Sequence, residues 1–87
     1  MTLERLPADA DARDVIVWLR QMVKTIGPGF NLDTPGEDYM PHMTHGEAAA
    51  YDADMRRAFD LLAPTGRDAY CVCWKVARRM LGLPIDA

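Results

Sequence analysis

Two histidines and two cysteines come first, because together they could hold zinc. His42 and His45 stand three positions apart, and Cys71 and Cys73 stand two apart. Structural zinc pairs follow Cys-x2–4-Cys and His-x3–5-His spacing, since the intervening chain must fold both ligands onto one ion. On a helix, residues two apart point nearly opposite ways, so Cys71 and Cys73 would not share an ion. The spacing argues against a metal site: Cys73 reads as a small core residue and Cys71 as a half-exposed one. A second cluster, Asp33, Glu37, Asp38, His42 and His45, offers carboxylates and imidazoles for acid–base work or a hard metal. Capping accounts for them more simply. Asp33 and Thr34 can cap a turn, Glu37 can complete its box, and His45 falls in the first turn of a helix. No nucleophile–base signature accompanies them, and Gly27-Pro28-Gly29 follows a helix instead of leading a strand into one, as a phosphate loop would. The chain is therefore not expected to be an enzyme, nor to carry a cofactor or metal.

Binding chemistry has more to stand on. Arg67, Lys75, Arg78 and Arg79 crowd one side of the last periodic segment, after a short Pro64-Thr65-Gly66 turn of the helix-turn-helix kind. A recognition helix needs reaching polar side chains at its N-terminal end, whereas this one opens Ala69-Tyr70-Cys71-Val72-Cys73-Trp74. With 10 basic against 13 acidic residues and a net charge of −3, nucleic acid is the lesser alternative. Seven aromatic rings and six methionines are more than a small domain can place centrally. Trp18 and Trp74 fall at the edges of their stripes, and Phe30 and Tyr39 lie in a loop. Edge aromatics often anchor partners, so these four are the candidate contacts for a protein partner or a second copy of the chain. The competing reading has them covering the loop or lying at the rim of the core.

Three helices must position these residues. Val15, Ile16, Leu19, Met22, Val23 and Ile26 share one face of a helix expected over about 10–26. Asp9, Asp11 and Asp14 favour its positive end, and Gly27-Pro28 stops it. Thr44-His45-Gly46-Glu47 is a capping box opening a helix over about 45–63, with Ala48, Tyr51, Met55, Ala58, Phe59 and Leu62 inward and Arg56, Arg57 and Asp60 outward. Residues 69–76 alternate with a strand-like period. Over its full length, however, the segment gathers Ala69, Tyr70, Val72, Cys73, Val76, Ala77, Met80 and Leu81 on one wide helical face. Thr65 with Asp68 can cap its start, and Gly82-Leu83-Pro84 reads as a glycine C-cap, giving a helix over 68–81. Between the first two helices, residues 27–43 are rich in Gly and Pro yet carry Phe30, Leu32, Tyr39 and Met40. That mixture predicts an ordered loop, because exposed apolar groups are unfavourable unless they pack. Within it, Thr34-Pro35-Gly36-Glu37 predicts one short helical turn.

The fold class is thus a small all-α, three-helix domain with an ordered loop and a short helical turn between the first two helices. Its 87 residues make one domain. No apolar run approaches the roughly 20 residues of a membrane span, so no membrane partner is expected. Met1-Thr2-Leu3-Glu4-Arg5-Leu6-Pro7 lacks the basic lead and apolar core of a secretory signal, and two cysteines so close make a poor disulfide, so a cytoplasmic location is expected.

The run Gly29-Phe30-Asn31-Leu32-Asp33-Thr34-Pro35-Gly36-Glu37-Asp38-Tyr39 resembles a signature of small uncharacterised bacterial and phage-borne proteins. In that group Gly-Phe, Asp-Thr-Pro and Asp-Tyr recur at this spacing before a helix rich in Glu, Ala, Asp and Leu. The resemblance covers residues 27–62 and implies no activity. Pro41-His42-Met43 departs from it, and the Cys-Val-Cys-Trp helix has no counterpart. The functional expectation is a protein-interaction or regulatory accessory module of bacterial, plasmid or phage origin, binding a protein or itself.

Overall fold

Asp11 and Asp14 close the start of the first helix on each other. The Asp11 carboxylate accepts the Asp14 N–H and the Asp14 carboxylate accepts the Asp11 N–H, both at 3.0 Å. The structure, a computed structural model, describes residues 4–39 and 43–85. Helix α1 spans Ala12–Ile26, starting two residues later than its periodicity predicts because Ala10 is turned back to bond the Pro7 carbonyl. It ends where Gly27 adopts φ +79° and its N–H bonds the Val23 carbonyl. Helix α2 spans His45–Leu62. Thr44 and Glu47 form the expected box at 3.1 and 3.0 Å, and a 3-10 turn through Ala63–Thr65 follows.

Helix α3 spans Ala69–Leu81, so the strand-like alternation does not prevail. Asp68 caps it through the Cys71 N–H at 3.2 Å, while Thr65 bonds the Leu62 carbonyl instead of sharing in the cap. At the other end Gly82 takes φ +70°. The Gly82 N–H reaches Arg79 O and the Leu83 N–H reaches Arg78 O, the paired 5→2 and 6→1 bonds of a Schellman ending. The described residues form no strand.

The loop is ordered from 27 to 39, but its anchors differ from those predicted. A 3-10 turn does run Gly36–Tyr39, yet the Gly36 N–H is held at 2.8 Å by Asp52 of α2 and not by Thr34. Asn31 makes an Asx turn with the Asp33 N–H. The Tyr39 hydroxyl donates to Asn31 O and accepts the Asn31 N–H, at 2.9 and 3.1 Å. That ring meets Tyr51 edge-on at 5.7 Å, and Phe30 and Met43 are buried beside the helices. Met40, Pro41 and His42 lie outside the described residues.

Sequence periodicity misses one element altogether. Residues 4–10 lie across α1 and α2 as an arm: Leu6 is buried, and the Trp18 indole N–H donates to Glu4 O at 3.0 Å. The arm is held by Asp54, a carboxylate only 1% exposed in the apolar stripe of α2. It receives both Arg5 Nε at 2.7 Å and the Leu6 N–H at 3.1 Å. Arg57, expected to face away, instead donates to the carbonyls of Leu6 and Pro7. Phe59, expected in the stripe, is only half-buried.

The domain measures 17 Å along its shortest axis, about the depth of two packed helices. Each helix therefore keeps one side in water. Helix α1 packs against both of the others, and α2 carries the loop.

Candidate functional site

The last helix is where apolar surface and solvent meet. Of its wide predicted face, only Cys73 and Ala77 are buried. Val72, Trp74, Val76 and Leu81 are half-buried, while Tyr70 is 42% and Met80 43% exposed. A stripe spanning so much of the helical wheel is broader than one helix can bury in a domain two layers deep. That width was the signal in the sequence that could have marked α3 as an open surface.

The structure corrects three of the four aromatic candidates. Trp18 is 3%, Phe30 6% and Tyr39 8% exposed, so they pack as core and leave little surface for a partner to contact. Their rings pack against the arm, the loop and Tyr51, whose centroid lies 6.4 Å from that of Trp18. Trp74 alone stays at the surface, with the Arg78 guanidinium 4.8 Å over its ring in cation–π geometry. Arg78 Nε also donates to the Pro84 carbonyl. Beside them lies a groove of about 280 Å³ between the loop and α3, bordered by Leu32, Tyr70, Trp74 and Leu83. The Tyr70 hydroxyl bridges its rim by donating to Asp33 at 2.9 Å. That bond to a carboxylate holds the Tyr70 proton and raises its pKa.

The four basic candidates do not share one face, which is a second correction. Arg78 turns to Trp74, whereas Arg67, Lys75 and Arg79 line a trough of about 600 Å³ on the other flank of α3. The helix thus presents an aromatic strip and a basic, aliphatic strip separated by its ridge.

Among the described residues the metal and acid–base candidates are not brought together. Among the described residues no three His, Cys, Asp or Glu side chains converge as ligands. His45 is exposed at the start of α2, and His42 is outside the described residues. Asp33 serves Tyr70, and Glu37 and Asp38 sit exposed in the 3-10 turn. Cys71 is partly exposed and Cys73 buried, both as free thiols. Burial pushes the Cys73 thiol from 9.0 up to about 11. The folded chain therefore holds that proton more tightly than the unfolded chain and loses stability as the pH rises from 9 toward 11. With an aromatic disulfide reagent, Cys71 is expected to react in the folded protein and Cys73 only after denaturation. Equally fast reaction of both thiols under native conditions would contradict this placement.

No helix among the described residues is long and apolar enough to cross a membrane. The architecture is that of a small all-α, three-helix domain. Comparison with protein-family models, curated proteins and solved structures finds no match to this chain.

Proposed function

We propose that the chain is a protein-interaction module that works through the outer surface of α3, by binding and not by catalysis. The observation that carries this reading is the exposure of Tyr70 and Met80, with half-buried Val72, Trp74 and Val76, on a single helix, and of Leu83 just past its end. Exposed apolar residues rimmed by polar ones mark association sites on small proteins, and an accessible Trp beside an Arg is typical of their energetic anchors. The resemblance of Gly29–Tyr39 to small bacterial and phage-borne proteins suggests an accessory or regulatory chain of a bacterium, plasmid or phage. In the fold those signature residues serve the loop: Phe30 and Tyr39 pack inward, Asn31 ties to Tyr39 and Gly36 rests on α2.

A photo-reactive residue at position 74 or 80 tests the reading. Discrete protein adducts, or a cross-linked dimer, are expected from these sites in cells. They are not expected from position 20 or 24, exposed on α1. Identical labelling from both sets would end the proposal. Trp74→Ala, in a chain cross-linked through position 80, is expected to keep its helical circular dichroism and lose most of the adduct. If this variant is unfolded, Trp74 belongs to the core and the anchor role fails.

A further inference from the structure

We infer that the trough between α1 and α3 receives an acidic amphipathic helix of a partner protein, its apolar stripe on Ile16, Val72 and Val76 and its carboxylates against Arg67, Lys75 and Arg79. This inference rests on the reading of α3 as a binding surface and names its occupant. The trough of about 600 Å³ has an aliphatic floor. It continues through Ile16, Arg67 and Val72 into a cleft of about 250 Å³ that also reaches Arg13 and Leu62. Val17, the next residue of α1, is 57% exposed.

Charge complementarity selects the occupant. Ion pairs among the described residues run from Arg5 and Arg57 to Asp54, and Arg67, Lys75 and Arg79 enter none. The carboxylate that does line the trough, Asp68, is engaged as the cap of α3. A chain with a net charge of −3 thus keeps three cations, none of them in a salt bridge, along a trough in which Asp68 is the single carboxylate among the described lining residues. Lys75 and Arg79, one turn apart, would lie side by side against carboxylates on a crossing helix, at the roughly 5–6 Å of i,i+4 neighbours. From Asp68 to Arg79 the strip is about 16 Å long, which a helix of about three turns covers. Nucleic acid fits the same cations less well. Phosphates would leave the aliphatic floor uncovered, and none of the trough's lining residues is an aromatic on which bases could stack. A second copy docked by two-fold symmetry would bring the same positive strip to meet itself.

The test is a nitrogen-15 NMR titration with a synthetic helix of about 14 residues, bearing leucines at i, i+3, i+4 and i+7 and glutamates elsewhere. Shifts are expected at Ile16, Val72 and Val76, weakening as salt is raised, with protection of the Cys71 thiol from modification. The exposed triple variant Arg67→Glu, Lys75→Glu, Arg79→Glu is expected to bind this peptide at least about tenfold more weakly. It should in turn favour the same peptide with lysines in place of its glutamates. Circular dichroism checks that the variant is folded.

Absence of binding by the acidic peptide overturns the inference. So does equal binding of a scrambled acidic peptide without an apolar stripe, which would leave only unspecific charge attraction. Tighter binding of a short DNA or RNA duplex to the same residues overturns it in favour of nucleic acid. Shifts confined to Tyr70 and Trp74 overturn it too, yet leave α3 standing as an interaction surface. The cross-linking at positions 74 and 80 decides that broader reading independently.

Discussion

Replacing Asp54 with alanine is expected to lower the unfolding free energy by about 3 kcal/mol, a large fraction of what a small domain possesses. The carboxylate is 1% exposed and is the point on which the N-terminal arm closes. Oδ2 accepts from Arg5 Nε at 2.7 Å and from the Leu6 N–H at 3.1 Å. Oδ1 accepts from Arg5 Nη2 at 3.1 Å and lies 3.6 Å from Arg57 Nη1. Alanine leaves the buried Leu6 N–H without its acceptor, and the freed arm uncovers Leu6 and the Trp18 ring that it screens. Thermal unfolding should move down by roughly 10–20 °C, and tryptophan emission should shift to the red before the global transition. Arg5→Ala is expected to be milder, because 61% of that side chain already faces water and Asp54 retains Leu6 and Arg57. Melting of Asp54→Ala within a degree or two of the parent protein would show that the arm contributes little to the fold.

Gly36→Ala is the second substitution of large effect, and its cause is space. A Cβ at residue 36 would lie 2.5 Å from Ala48 O, 2.9 Å from Ala48 Cα and 3.0 Å from Ala48 C. All three are backbone atoms of α2, so no side chain can turn aside to relieve the overlap. The 3-10 turn must lift away, which breaks the 2.8 Å bond from the Gly36 N–H to Asp52 and parts Tyr39 from Tyr51. A loss of about 2–3 kcal/mol is expected, at the upper end of overpacking penalties. Near-ultraviolet circular dichroism should weaken, and the Asn31 amide, which donates to the Tyr39 hydroxyl, should exchange faster. Gly29→Ala serves as the control. Nothing lies within 4 Å of its Cβ, so its stability should stay near that of the parent. Equal stability of both variants would show that the loop does not depend on this close approach.

Much of the fold was legible because helix ends obey local chemistry. Thr44 with Glu47, the Gly27-Pro28 stop and the Gly82 ending each act within a few residues of chain, and each is found where its motif predicts. The failures lie where a distant residue overrides a local candidate. Thr34 is well placed to cap the 36–39 turn, but the Gly36 N–H is held by Asp52, sixteen residues beyond Gly36 in the chain. Trp18 sits at the edge of its stripe on a helical wheel, yet the arm covers that edge and takes its indole N–H. Asp54 stands among Tyr51, Met55 and Ala58, and a carboxylate there was the available sign of a buried clasp. Its partner Arg5 is 49 residues away, beyond the reach of periodicity.

The candidate surface divides along the same line. The amino-acid sequence by itself determined that the chain forms three amphipathic helices, the bounds of each to within about two residues, and that the last carries both aromatic and basic residues. Those properties follow from side-chain period and backbone hydrogen-bond demand inside single segments. Only the tertiary structure decided that Trp18, Phe30 and Tyr39 are core, that Trp74 is accessible, and that Arg78 parts company with Arg67, Lys75 and Arg79. Burial and charge pairing depend on which segments are neighbours in space. In a domain 17 Å deep that arrangement leaves Tyr70 and Met80 of α3 uncovered, with Val17 of α1.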